Sequence, residues 1–481
     1  MAAKHSTQSL GTISATDADD QKPGNETMAK VSAGFLGSDS ATDSDDQKPG
    51  NEMMAKVSAE SLGSDSATDS DDQNPGNDMM VKVSAESLGS GSWLEVDDQK
   101  TDDDLDLRDI TFLEGIKWDV LASICSRLRD GISCEIDGKY CSGSNNIVRR
   151  VSFVDGVSWV ARLRLPNADM MHGAQDALDV ASTLKVEVST MKFLNFDPTN
   201  EVGAPYILMD YIHGTIAADL RSQTGDGILF GTPSQDRRFR QQMADIQVQL
   251  SSLTFDKIGC IYENEETSEF YIGREVETGQ GPWESAMDFY KSYGDHSLSE
   301  YRRRGAEDCA SMAVPALFQI LIRLYREQNT NGGPFRLVNR DFGAHNLLVN
   351  ENFEIISVID FEEVMAAPME AVAQYPVLTD LDRAPPGYVA TEPFVIKRIM
   401  ETAPKIQEYN EFIKAAEVKM KIDRDGNTPI SNLMISDVSS IFQGIMDYRY
   451  HSQKRNDRWT TAYLMLFEKK REEMGGLSIA I

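Results

Sequence analysis

From Gly11 the chain repeats with a period of 26 residues, and this tract sets where a core can form. The copies read GTISATDADDQKPGNETMAKVSAGFL, then GSDSATDSDDQKPGNEMMAKVSAESL from Gly37, then GSDSATDSDDQNPGNDMMVKVSAESL from Gly63. A truncated fourth copy starts at Gly89 and keeps DDQK at Asp97 to Lys100. Periods of this size can build solenoids, but Ser, Asp, Gly and Pro dominate here. The apolar patch of the second copy is only Met53, Met54, Val57 and Leu62, and Phe35 and Trp93 are the sole aromatics up to Leu107. Such units bury too little surface to offset chain entropy. Residues 1–107 are therefore expected to be a disordered acidic tail, and folding is expected to begin near Asp109.

Charge supports this division. Up to Leu107 there are 23 acidic residues against seven lysines, a balance of −16, and the remainder carries −14 of the total −30. A surface of that sign argues against nucleic acid or an anionic membrane as main partner. The serines beside acids in SDSATDSDD leave open a modification tail or an arm for a protein partner. The five cysteines, odd in number and without a CxxC pair, suggest a reduced protein. With no apolar run at the start and none of membrane-spanning length, a soluble cytoplasmic protein is the expectation. The oligomeric state is not legible.

Beyond the tail, Leu121, Ile124, Cys125 and Leu128 follow helical spacing, predicting a helix over Ile116–Leu128. Ile147–Phe153 and Ser158–Leu165, separated by Asp155 and Gly156, read as a β-hairpin. A helix over Ala177–Phe196 and a strand over Tyr206–Met209 follow. After Gly214 the pattern is mainly helical, as at Leu317, Leu321 and Leu324.

The densest chemistry lies in NRDFGAHNLLVNENFEIISVID, Asn339 to Asp360. The apolar pair Leu337 and Val338 leads to Asp341, Asn346 comes five residues later, and a strand over Glu354–Ile359 ends in Asp360. The whole reads as one β-hairpin. Phosphoryl transfer needs a carboxylate to orient the attacking hydroxyl and oxygen ligands for Mg²⁺ on the nucleotide phosphates. The alternative is that Asp341 and Asn346 form turns and Asp360 caps the next segment.

This segment resembles the catalytic loop and metal-binding strand of the aminoglycoside phosphotransferase and choline kinase-like family. YILMDYIHGT (Tyr206–Thr215) and FDKIG (Phe255–Gly259) are also similar to recurring family segments. The resemblance implies a bilobal, protein kinase-like α+β fold. A small mixed β-sheet N-lobe over 108–212 would precede a larger, mainly helical C-lobe over 213–481. It also implies an ATP-dependent kinase of small-molecule hydroxyls, with Asp341 as catalytic base and Asn346 and Asp360 as Mg²⁺ ligands. The rival reading is a pseudokinase serving as an interaction module. It is motivated by Asn339, where the family usually has His, and by Arg162, where kinases place Lys. The replacement of that His is expected to loosen the catalytic loop. His345 is expected to be an ordinary loop residue.

Arg162 is the candidate phosphate cation, with Arg164 its same-face competitor, although Arg162 could be a surface charge on an edge strand. Glu187 shares an apolar stripe with Leu184 and Met191 and is either its carboxylate partner or a solvent-facing acid. Gly143, Ser144 and Asn145 lie in a small polar loop that either approaches phosphates or simply turns. Met209 to Ile212, including Tyr211, would be the hinge whose backbone meets adenine by the family resemblance. Trp283 is expected to pack, and Arg302 to Arg304 to face solvent.

Overall fold

Alternation along three strands sorts the N-terminal sheet into a helix-packed face and a cleft face. In Ser158–Arg164, Trp159, Ala161 and Leu163 join the cluster containing Leu121, Ile124 and Cys125 of the helix Trp118–Leu128. The even-numbered Val160 points the other way, as do Val148, Ile207 and Met209 on neighbouring strands. Period-two geometry thus places Arg162 on the face that looks toward the second lobe.

The computed structural model describes residues 94–95 and 104–475, apart from 144, 167–190, 224–228, 265–266, 268, 304–308, 327–330, 362–363, 382, 392, 422–428 and 449–452. The disorder expected of residues 1–93, and the roles expected of Ser144 and Glu187, lie outside the described residues; Leu94–Glu95 and Asp104–Leu107, expected in the disordered tail, are a strand and the start of a helix. The N-terminal sheet consists of β1 (Leu94–Glu95), β2 (Cys134–Ser142), β3 (Asn146–Phe153), β4 (Ser158–Arg164), β5 (Met191–Asn195) and β6 (Tyr206–Asp210), in the order β1-β2-β3-β4-β6-β5. Every pairing in it is antiparallel, so the sheet is not mixed. The helix expected to reach Phe196 does not: Met191–Asn195 is a strand, hydrogen-bonded along β6 at the sheet edge. Strand pairing overrides a helical pattern when a partner edge is available. The predicted first helix begins at Trp118, because Lys117 N–H turns out to bond Val202 O at 2.9 Å; a separate helix, Asp104–Gly115, precedes it.

The C-terminal part is mainly helical, which gives the α+β, two-lobed architecture. Its core gathers Phe239 and Met243 from the helix Pro233–Ser251, Tyr290 and Tyr293 from Ala286–Arg303, Phe318 from Cys309–Tyr325, and Phe442 from Asp437–Tyr448. Thr232 and Gln235 form a reciprocal cap at the start of Pro233–Ser251, satisfying donors that a helix start leaves open. Trp283 packs on Phe289 with ring centroids 5.3 Å apart, and Arg302 and Arg303 are exposed. Both agree with the sequence reading. Among the described residues no helix is long and apolar enough to cross a membrane.

Short strands carry the polar segments between these helices. They are β7 (Thr215–Ile216), β8 (Thr254–Phe255), β9 (Ile261–Asn264), β10 (Glu269–Ile272), β11 (Phe335–Asn339), β12 (Leu347–Val349), β13 (Ile355–Val358) and β14 (Val364–Ala367). β11 lies between β14 and β8, whereas β12 lies between β13 and β7. The Asn339–Asp360 segment is therefore not one hairpin. Gly343 is extended and bridges Val377 in parallel, and a 3-10 turn at Ala344–Asn346 carries the chain from one sheet into the next.

Candidate active site

Four backbone-linked contacts bring the separated parts of the motif to one point. Asp341 follows β11, and Asn346 donates from Nδ2 to both its carbonyl oxygen and its Oδ2, each at 3.0 Å. Asn346 O accepts from Ile359 N at 2.9 Å, which draws the end of β13 against the same turn. Asn339 Nδ2 donates to Asp360 O at 3.0 Å, while its Oδ1 accepts from Asp341 N at 2.9 Å. Asn339 is 4% and Asn346 2% exposed, so these bonds work without competition from water. The Asp341 side chain is 39% exposed, open enough to meet a second molecule.

The loosening expected from Asn339 in place of His is thus not seen. A carboxamide has a donor and an acceptor on one group, and Asn339 uses both to tie Asp341 to Asp360. His345 is also more than a loop residue, because its Nε2 sits 3.0 Å from Asp341 Oδ2. Sequence spacing gave no sign of it, since the neighbours of Asp341 depend on the 3-10 turn.

Asp360 stands just past β13 with φ of 59°. Left-handed backbone at a non-glycine residue is uncommon, although Asp tolerates it better than most. Its Oδ2 lies 3.4 Å from Arg162 Nη2, a contact between residues 198 positions apart. Arg162 is on β4, which lies between β3 and β6, and its side chain is 11% exposed. The edge-strand alternative therefore fails. Arg164 instead reaches Asn146 Oδ1 at 3.4 Å.

An apolar cluster borders this polar centre. Cys141, Val148, Val160, Met209, Ile212 and Ile216 pack with Leu348 and Ile359, joining the sheet to the Asn339–Asp360 segment. Burial pushes the Cys141 thiol up, so it stays neutral in this wall. At the hinge, Tyr211 N–H is already bonded to Ser158 O at 3.1 Å, and its ring lies under Arg150 at 4.6 Å. A base edge would have to use other backbone groups of residues 209–212. Gly143 N–H is likewise engaged, closing the β2–β3 turn on Asn146 O at 2.8 Å, and Asn145 O accepts from Leu165 N at 2.8 Å. The Gly143 N–H and the Asn145 carbonyl are thus both engaged within the protein.

Chemically the arrangement offers one exposed carboxylate, a second carboxylate and an amide as oxygen donors, and one guanidinium. Among the described residues no group of three or more His, Cys, Asp or Glu is placed to hold a metal. Asn346 and Asp360 would be a sparse pair, of the kind suited to an ion that keeps most of its ligands from water and phosphate.

Comparisons with known proteins fall on this same region. Residues 142–371 match the sequence profile described as the phosphotransferase enzyme family. The altered inheritance of mitochondria protein 9 of Debaryomyces hansenii is 26% identical over 144 residues, covering 26% of this chain. The chain spans about a fifth (21%) of that relative's length. A presumed aminoglycoside phosphotransferase from Ralstonia eutropha aligns over 73% of this chain and 99% of its own, with 14% identity and a TM-score of 0.42. A macrolide 2'-phosphotransferase from Brachybacterium faecium aligns over 72% and 97%, with 13% identity and a TM-score of 0.37.

Proposed function

We infer, from the match of residues 142–371 to the phosphotransferase enzyme family, that the chain moves the γ-phosphoryl group of ATP to a hydroxyl of a small molecule. The observation that carries this reading is the meeting of Arg162, Asp360, Asn346 and Asp341 beside an apolar cluster that spans the sheet and the Asn339–Asp360 segment. A structural turn has no need of a buried guanidinium from another lobe.

In this reading Asp341 accepts a hydrogen bond from the acceptor hydroxyl and turns its oxygen toward phosphorus. Asn346 and His345 fix the carboxylate for that task. Arg162 attracts the non-transferred phosphates through paired N–H groups, as a guanidinium does well. The adenine ring packs against the apolar cluster of Val148, Val160, Leu348 and Ile359. Asn346 and Asp360 would hold Mg²⁺, whose bound charge offsets that of the phosphates.

The test is to incubate the protein with ATP, Mg²⁺ and a metabolite pool and to look for a mass gain of one phosphate. Asp341→Ala should lower turnover about 10²–10⁴-fold and leave nucleotide affinity nearly unchanged. Asp360→Ala should instead weaken the Mg²⁺-dependent part of ATP binding. Full turnover by Asp341→Ala would sink the assignment.

A binding module without transfer is favoured by one observation, the engagement of Gly143 N–H within its own turn. Absence of thermal stabilisation by ATP and Mg²⁺ would support it, since a ligand that binds only the folded state must raise the melting temperature.

A further inference from the structure

Arg340 immediately precedes Asp341, yet its side chain points away from the catalytic turn into a loop some 65 positions earlier in the chain. Its Nη2 lies 2.8 Å from Glu275 Oε1 and its Nη1 lies 3.1 Å from Glu277 Oε2. The Arg340 side chain is 4% exposed, Glu275 0% and Glu277 27%. One guanidinium thus forks across two carboxylates on a single turn.

That turn is stiff. Glu275 Oε1 accepts from Glu277 N at 3.0 Å, and its Oε2 accepts from Thr278 N at 2.7 Å and from Thr278 Oγ1 at 2.8 Å. The backbone is closed by Glu275 N to Gln280 O at 2.8 Å and by Gly279 N to Glu275 O at 2.9 Å. Isolated buried ion pairs are poor stabilisers, because desolvation consumes most of their attraction. What a forked pair does supply is direction, since the planar guanidinium accepts two carboxylates only in set orientations.

We propose that Glu275, Arg340 and Glu277 form a clamp that positions Asp341 for transfer, making Arg340 and Glu277 positioning residues of the reaction. Asp341 is one peptide from the clamped residue. Its other anchors, Asn339, Asn346 and His345, hold its backbone N–H, its carbonyl and one carboxylate oxygen. The clamp fixes what these leave free, the position of the Arg340 Cα and side chain at the end of β11. This inference rests on the phosphoryl-transfer reading.

Its test uses the full chain with Mg·ATP and water as acceptor, read as phosphate release. Glu277→Gln keeps the shape of a partly buried side chain and removes one charge of the fork. It should lower kcat on the order of tenfold or more, the size of effect that slight misplacement of a reacting group produces. The KM and Kd for Mg·ATP should stay within about twofold, as expected when only a transition-state contact is lost. Arg340→Lys should lower kcat similarly, and the double variant should be no slower than the slower single variant, because both remove the same fork. Unchanged kcat in Glu277→Gln, or equal loss of kcat and of nucleotide-binding capacity, would overturn the clamp and leave transfer standing. A wild-type chain that neither binds nor hydrolyses Mg·ATP would remove the transfer reading and the clamp together.

Discussion

Asn339 Nδ2 donates to the backbone carbonyl of Asp360 across 3.0 Å, joining two sheets that have no ladder between them. Because Oδ1 of the same carboxamide accepts from Asp341 N, one side chain sets the spacing between the proposed base and the proposed metal ligand.

Asn339→Ala should remove both bonds from two part-buried backbone groups, Asp341 N–H and Asp360 C=O. The expected cost is about 1–3 kcal/mol for each group left unsatisfied, read as a lower denaturation midpoint. Turnover should fall more than ATP affinity does. Asn339→Asp keeps the acceptor and loses the donor, so it should retain the Asp341 contact and break only the one to Asp360. Equal stability of Asn339→Ala and wild type in urea would contradict this account.

Gly343 is needed for space. Its φ of −172° is open to any residue, but an added Cβ would lie 2.3 Å from Val377 O. Val377 O also accepts from Ala344 N at 3.1 Å, and Val377 N donates to Phe342 O at 3.0 Å. Gly343→Ala should therefore push residues 376–378 off the 3-10 turn at Ala344–Asn346, at about 1–3 kcal/mol as for other overpacked sites. Hydrogen exchange of the Ala344 and Val377 amides should accelerate together. Unaltered protection of both would refute the steric argument.

Acid should unfold the protein partly through Glu275. Burial alone would raise its pKa, but Arg340 and the donors from Thr278 and Glu277 outweigh burial and hold it below the ordinary value of 4.5. For a carboxyl depressed on folding, the stabilisation is fully present above the unfolded pKa and is lost as pH falls through the folded one. Stability should thus decline below about pH 4.5. Glu275→Gln should be less stable at neutral pH and show a shallower decline under acid. A variant with the wild-type slope between pH 4.5 and the acid transition would show that Glu275 is not responsible.

How much of this was legible in the sequence depends on the range of the interaction. The hairpin Ile147–Phe153 with Ser158–Leu165 was readable because alternation and an Asp-Gly turn act locally. The face of Arg162 was left open between a phosphate cation and an edge-strand charge, because which strands flank β4 is a long-range fact; with β3 and β6 on either side, Arg162 shares the face of Val160. Met191–Asn195 was misread as helix because its strand state comes from β6, and no local pattern encodes a partner edge. Arg340 was invisible for a different reason: its two carboxylates sit on a loop whose shape is set by Glu275 bonding its own backbone neighbours.

The two-residue strand β1 pairs Leu94 with Tyr140 and Glu95 with Lys139, on the strand that runs into the turn at Gly143. In the truncated fourth copy, Trp93-Leu94-Glu95-Val96 stands where the third has Ala67-Thr68-Asp69-Ser70. Among the described residues, the last repeat thus joins the sheet at the positions where its preceding copy carries a polar quartet, which ties the register of the repeats to the fold.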